Sequence, residues 1–241
     1  MRRRFFVDSF GEHRASLKGE TAEHLGRVLR AEPGQLYELS DGNRVWLGRV
    51  EHVRNGGHPA VEFSLVEPLD ARQPLVQVQL MIAIIKFDRF EWCLEKAAEL
   101  GASDIVPLAA ARSEKRLLAA AEKRSQRWSK ILIESAQQAR RLRPPTLGRL
   151  MKTEPAFVES PMSGRIILSE RQDARSFRSA TMACAGTSVT LAIGPEGGWT
   201  DDEFIAARNA GFMEASLGEN ILRTETAVIS SLSMIRYALG E

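Results

Sequence analysis

The chain has 241 residues, of which 44 % are hydrophobic and 27 % charged, with a formal net charge of +2. This is enough apolar material for one large core or two smaller ones. No apolar signal-peptide core follows the basic Met1–Arg4, and the apolar run Leu75–Ile85 is too short and too broken by glutamine to span a bilayer, so a cytoplasmic protein without a membrane is expected. The two cysteines, Cys93 and Cys184, read as buried thiols rather than a disulfide. All four histidines lie within the first 58 residues, which leaves the rest of the chain without a histidine dyad or a zinc site; no metal is expected.

Residues 1 to about 67 read as short strands, at Arg4–Val7, Gln35–Leu39, Arg44–Val53 and Ala60–Val66. Asp41-Gly42 and Asn55-Gly56-Gly57 are hairpin signals, which suggests a small barrel or half-barrel. Within it Thr21–Leu29 is helical, with Leu25, Val28 and Leu29 apolar and Arg27 and Arg30 able to face outward. The polar, proline-bearing stretch Glu67–Pro74 reads as a linker, giving domains at 1–70 and 71–241.

Beyond the linker, strands at Val76–Ile85, Asp104–Leu108, Arg165–Leu168, Val189–Ile193 and Met213–Leu217 alternate with helices. Asp88 and Glu91 form a capping pattern for Arg89–Leu100, and a longer helix over Ala121–Arg140 stops before Pro144-Pro145. The alternation predicts an α/β fold with a mostly parallel sheet, whose ligand crevice lies outside the carboxyl ends of its strands. Ten Lys or Arg against three acids between Arg112 and Arg143 suggest a polyanion footprint, the alternative being a solvated helix face. The last helix, Glu225–Leu239, carries an apolar stripe at Val228, Leu232, Ile235 and Leu239.

Two loops carry the chemistry. Ile193-Gly194-Pro195-Glu196-Gly197-Gly198-Trp199 follows an apolar strand, and its glycines let main chain meet a ligand without side chains between. Thr200 and Glu203 form a capping box for the next helix. Asp201, Asp202 and Glu203 already use that helix's dipole, and the P-loop lysine is absent, so a neutral or cationic ligand fits better than a polyphosphate. The second loop, Leu217–Ala227, also leaves a strand and enters a helix; Ile193, Leu217, Ile221 and Leu222 offer apolar contact. Arg223, Glu196, Glu225 and Thr226 are its reactive or polar groups, although Arg223 has an alternative role in an ion pair with Glu196 or Glu225.

The motifs GPEGGW at 194–199 and LGENILRTETA at 217–227, with HLGRVLR at 24–30, KFDRFEWCLEKAAELG at 86–101 and RWSKILIESAQQARR at 127–141, resemble the SPOUT methyltransferases. Among these the pattern is similar to the bacterial ribosomal RNA small subunit methyltransferase E family, which methylates N3 of a uridine in 16S rRNA. The resemblance implies a PUA-like N-terminal β-barrel that binds RNA, a C-terminal α/β domain with a deep trefoil knot, S-adenosylmethionine bound in the knot, and a homodimer. Cofactor contacts would fall on Leu168, Ile193, Gly194, Gly198, Leu217, Gly218, Ile221, Leu222 and Thr226. Arg223 would stabilise charge on the uracil, with Glu196 or Glu225 as base. Arg2, Arg3, Arg4, Arg27, Arg30, Lys86, Arg89, Lys123, Arg124, Arg127, Arg140 and Arg141 would contact phosphates of 16S rRNA or the small ribosomal subunit. Asn220 and Ala139-Arg140 depart from the family pattern, which often has a basic residue and Ser-Gly there. Two rival readings are a noncatalytic RNA-binding or ribosome-assembly factor and a SPOUT methyltransferase acting on another RNA.

Overall fold

A computed structural model describes residues 3–184, 186 and 188–239; Arg2 lies outside them. The chain divides into two compact units, one of residues 1–73 with 136–144, the other of 74–135 with 145–241.

The first unit is built on a five-stranded sheet ordered β1-β3-β4-β5-β2, from β1 (Arg4–Phe6), β2 (Arg14–Lys18), β3 (Leu36–Ser40), β4 (Val45–Arg54) and β5 (Ala60–Leu69). β1 pairs with β3 in parallel and the remaining neighbours are antiparallel. β2 has no counterpart in the sequence reading, although Ala15 and Leu17 point inward between exposed Arg14, Ser16 and Lys18, the period-2 pattern of a half-buried strand. β5 runs three residues into the expected linker. Pro68 is accommodated because β2 pairs only with Ala60–Ser64, so β5 has an open edge by then and a missing N–H costs no ladder bond.

The helical segment is a short α1 (Gly19–Glu23) continued by a π-helical turn, His24–Val28. Leu25 is buried but Val28 and Leu29 are 63 % and 38 % exposed, against the expectation that all three face inward. The wider π turn rotates them off the core face, and Arg30 follows in the left-handed region at φ 52°. Residues 136–144 join this unit through buried Glu38, which pairs with Arg4 at 2.9 Å and Arg140 at 3.3 Å. Ser40 Oγ donates to the Leu142 carbonyl at 2.6 Å.

The second unit alternates β6 (Gln77–Ala83), α2 (Phe87–Glu99), β7 (Asp104–Ala109), α3 (Lys115–Ala121), α4 (Ser125–Gln138), β8 (Thr146–Leu147), β9 (Met151–Lys152), α5 (Thr153–Val158), β10 (Gly164–Leu168), β11 (Arg175–Ser176), α6 (Phe177–Ala183), β12 (Ser188–Ile193), α7 (Asp201–Asn209), β13 (Met213–Ser216) and α8 (Thr224–Ala238). The sheet order is β11-β13-β10-β12-β6-β7-β8, with β9 also on β7, and every pairing is parallel. This is the α/β fold with a parallel sheet that the alternation predicts. Leu80, Met81, Ile82 and Ala83 are successively buried because helices cover both faces. Leu80 and Ile82 share one core with Phe90, Trp128, Phe177 and Leu232; Met81 and Ala83 share another with Phe157, Trp199, Phe204 and Phe212. Each large apolar side chain so buried stabilises the fold by roughly 1.5–3 kcal/mol.

Two helix boundaries differ from expectation. α2 begins at Phe87 with Lys86 at its N-cap and no side-chain cap, because Glu91, the expected partner of Asp88, is drawn to Arg124 at 3.2 Å and Arg127 at 2.8 Å. The hydrogen bond from Arg127 and the charges of both guanidiniums hold the Glu91 carboxyl below its ordinary range. The expected Ala121–Arg140 helix is divided by a 3-10 turn, Glu122–Arg124, and ends at Gln138, with Arg140 at a φ of 52°. At the other end of α2, Arg236 from α8 donates to the Leu100 and Gly101 carbonyls at 3.1 and 2.6 Å.

Candidate functional site

The strands β13, β10 and β12 are adjacent and parallel, so the loops that leave their carboxyl ends converge. They enclose a cavity of about 740 Å³ lined by Leu168–Arg171 after β10, Ile193–Trp199 after β12 and Ser216–Thr224 after β13, with Arg89 and Arg112 at its side.

The first loop owes its shape to Trp199. Its indole is 6 % exposed, donates from Nε1 to the Leu168 carbonyl at 3.0 Å and stands edge-on to Phe157. A Cβ at Gly194 would lie 3.0–3.2 Å from that indole, tighter than ordinary packing, so any larger residue at the strand exit would have to displace the indole. Gly198 adopts φ +69°, the left-handed region that glycine enters at least cost, and its N–H closes a turn on the Pro195 carbonyl at 2.8 Å. The capping box is present in full: Thr200 Oγ1 accepts from the Glu203 N–H, and Glu203 Oε2 accepts from the Thr200 N–H at 2.9 Å. Glu203 Oε1 also accepts from the Ala111 N–H at 2.9 Å. Glu203→Ala should therefore lower stability by about 1–2 kcal/mol, two partly buried N–H donors losing their acceptor; a urea titration with an unchanged midpoint would contradict this.

The second loop is joined to the first where Thr224 Oγ1 donates to the Gly194 carbonyl at 3.3 Å. Ile221 is 77 % exposed and Leu222 partly buried along the cavity wall, an apolar surface facing open space. Of the expected cofactor residues, Leu168, Ile193, Gly194, Gly198, Leu217, Gly218, Ile221 and Leu222 line the cavity. Thr226 does not; it is exposed on α8.

Four arginines line the cavity, and three are engaged. Arg89 pairs with Glu196, Arg112 Nη1 donates to the Gly197 carbonyl at 2.7 Å, and Arg171 pairs with Asp201 while its guanidinium lies 4.0 Å from the Phe204 ring centroid. Arg223, the residue before α8, is exposed and has no partner among the described residues. The expected alternative of an ion pair with Glu196 or Glu225 is not formed. Glu196 is occupied by Arg89, and Glu225 does not line the cavity, its Oε2 being buried with no hydrogen-bond partner among the described residues. Burial, and next the Glu225 charge, push the Cys93 thiol up to about 12, so it stays protonated. Glu170 and Glu219 also line the cavity and have no partner among the described residues.

The remaining expected phosphate contacts divide. Arg4 and Arg140 are committed to buried Glu38, Arg124 and Arg127 to Glu91, and Arg27 to Glu23 at 3.3 Å. The charge run thus finds acids on other strands and helices that a count along Arg112–Arg143 misses. Arg30, Lys86 and Lys123 are exposed cations without a partner among the described residues, while Arg3 and Arg141 are engaged. Arg112, Ser169 and Arg171 are not legible as site residues because only the sheet order brings their loops beside the two glycine-bearing ones, whereas Glu219 lies within the second of those loops. Among the described residues no group of His, Cys, Asp or Glu is gathered as a metal site, and no helix is long and apolar enough to cross a membrane.

With this geometry established, residues 71–236 match the family model described as an RNA methyltransferase domain. The ribosomal RNA small subunit methyltransferase E of Synechocystis sp. is 32 % identical over 223 residues, covering 90 % of this chain and 70 % of that protein. The one from Mycobacterium bovis is 30 % identical over 239 residues, covering 96 % and 90 %. The crystal structure of a ribosomal RNA small subunit methyltransferase E from Neisseria gonorrhoeae bound to S-adenosyl methionine superposes with a TM-score of 0.86 at 26 % identity, covering 98 % of both chains. A methyltransferase from Legionella pneumophila in complex with the same cofactor gives 0.87 at 29 % identity, covering 99 % of this chain and 98 % of that one. The chain therefore belongs to the ribosomal RNA small subunit methyltransferase E family, with an RNA methyltransferase domain over residues 71–236.

Proposed function

We propose that the cavity at the carboxyl ends of β13, β10 and β12 binds S-adenosylmethionine, and that the protein methylates N3 of a uridine in 16S rRNA of the small ribosomal subunit. The observation that carries this reading is the pairing of bare main chain at Gly194 and Gly198 with the uncovered apolar wall of Ile221 and Leu222, beside Arg223, which has no partner among the described residues. Such a cavity suits a ligand with an apolar ring system and hydrogen-bonding edges. Gly194, Gly198, Leu217, Gly218, Ile221 and Leu222 would hold the cofactor, with Leu168 and Ile193 at the strand ends. When bound, S-adenosylmethionine supplies a methyl group on a sulfonium, transferable by in-line displacement.

The work of the chain's own residues is alignment, exclusion of water and control of a proton. Uracil N3 is a poor nucleophile while it carries its proton, and the charge left on deprotonation spreads to O2 and O4. Arg223 stabilises that charge, its guanidinium being uncommitted. Glu196 is held by Arg89, and Glu225 is outside the cavity, so Glu170 and Glu219 are the available carboxylates for the proton.

In the same reading the first unit is a PUA-like RNA-binding barrel, the second a SPOUT domain with its trefoil knot, and the protein acts in the cytoplasm. Arg30, Lys86 and Lys123 meet RNA phosphates. The protein is a homodimer, supported by Thr226, Met234 and Tyr237, which are exposed at helical spacing along α8. Incubation with methyl-labelled S-adenosylmethionine and small subunits, followed by nucleoside analysis, should yield labelled 3-methyluridine in 16S rRNA. Labelled product in another RNA alone would redirect the substrate assignment. No transfer, together with no cofactor binding by calorimetry, would favour a noncatalytic RNA-binding factor.

A further inference from the structure

The loop after β12 is gripped by two arginines from outside the cofactor loops. Arg89 comes from the first turn of α2 and pairs with Glu196; Arg112, in the segment after β7, donates to the carbonyl of the next residue, Gly197, at 2.7 Å. We propose that Arg89 and Arg112 are positioning residues, a two-point clamp that holds residues 194–199 in the cofactor-binding shape, rather than contacts for RNA. The proposal rests on the reading of that loop as a cofactor site.

Three observations favour a clamp. A glycine-rich loop has more conformational freedom to lose on binding than any other chain segment, so fixing it beforehand removes a cost from ligand association. Gly197 and Gly198 lie in it, and its internal bond from the Gly198 N–H to Pro195 spans only the turn. Both arginines reach across the fold to hold it, one through a carboxylate and the other through a carbonyl, and guanidinium donors make charge-assisted bonds stronger than neutral ones.

Next, a cation in the first turn of a helix opposes the helix dipole, and Arg89 is the third residue of α2, beside Asp88. Its pairing with Glu196 offsets that opposition and commits its charge within the protein, whereas Lys86 and Lys123 are exposed cations without a partner among the described residues. Finally, the segment carrying Arg112 is itself fixed. The Ala111 N–H donates to Glu203, the capping residue of α7, and Ser113 Oγ donates to the Ile84 carbonyl at 2.8 Å. Arg112 is therefore a strut between two ordered elements, with its Cβ only 3.4 Å from where a Cβ on Gly197 would stand.

The test compares the full-length R89A, R112A and R112K proteins and the charge-swapped R89E/E196R double variant with the parent. Cofactor affinity is read by calorimetry with S-adenosylmethionine, RNA affinity as a function of salt, and hydrogen exchange across residues 194–200 without ligand. R112A is expected to weaken cofactor binding by about 10-fold to 100-fold, with faster exchange in the loop and an unchanged salt slope for RNA. R112K keeps the charge but not the planar fork, so it should remain weak. R89A should cost about 2-fold to 5-fold, as expected for a partly exposed pair, and R89E/E196R should recover that loss. Parent-like cofactor affinity and loop exchange in R89A and R112A, with each lowering the RNA salt slope by about 1, would overturn the clamp and make both residues phosphate contacts. A parent protein that binds no S-adenosylmethionine would overturn the cofactor reading and the clamp with it, whereas parent binding with indifferent variants overturns the clamp alone.

Discussion

Arg223→Ala should reduce the single-turnover rate of methyl transfer by about 100-fold or more at saturating RNA and cofactor, with S-adenosylmethionine affinity retained. The physical reason is the state of its guanidinium. Arg89, Arg112 and Arg171 each have a protein acceptor, so their charge is partly spent within the cavity wall, whereas Arg223 has none among the described residues. A preformed cation aimed at developing negative charge lowers the barrier only if no ground-state partner competes for it. Arg223→Lys should recover part of the rate, since it restores charge but not the planar, multi-donor fork. Full single-turnover activity in Arg223→Ala would remove the residue from the chemistry and shift attention to backbone donors of the same loop.

The largest stability effect is expected at Trp199. Trp199→Ala should destabilise the second unit by about 3–5 kcal/mol and abolish measurable cofactor binding, because one side chain serves both roles. It fills the core shared with Phe157, Phe204 and Phe212, and its Nε1 tethers the Leu168 carbonyl at the end of β10 to the loop that follows β12. Trp199→Phe keeps most of the apolar contact and removes the tether, so it should cost about 1 kcal/mol, the net worth of one partly buried hydrogen bond. Chemical denaturation and calorimetry on the two variants separate these contributions. An alanine variant with the parent's denaturation midpoint and cofactor affinity would show that the indole is dispensable to both.

The second unit was legible because its signals are local. The strand β6 carries the continuous apolar run Leu80–Ala83, Thr200 and Glu203 carry their capping box in four residues, and Gly194 and Gly198 mark a backbone-lined loop. β2 is hard to read because five residues with two small or medium apolar side chains give a weak pattern, and β8, β9 and β11 are only two residues each. The side chains at the cavity margin depended on strand order, which periodicity does not encode. Arg171 and Glu170 follow β10 and Arg112 follows β7, and nothing along the chain says that those ends lie beside β12 and β13. Charge partners were illegible for the same reason: Glu38 and Glu91 neutralise arginines up to about a hundred positions away.

The position of β12 between β10 and β6 has a consequence for the order of assembly. During synthesis β6 emerges more than a hundred residues before β12, and β10 some twenty before it. Until β12 arrives, each exposes an edge with unsatisfied backbone groups, the kind of surface that recruits other chains. β12 then satisfies both of these edges at once, joins β10 to β6 and brings the Gly194 loop with it, and β13 follows to cover the other edge of β10 and add the second loop. A nascent chain stopped before residue 188 would have neither loop, and its vulnerability to aggregation would come from a gap in the middle of the sheet as well as from the edge of β10 that β13 later covers.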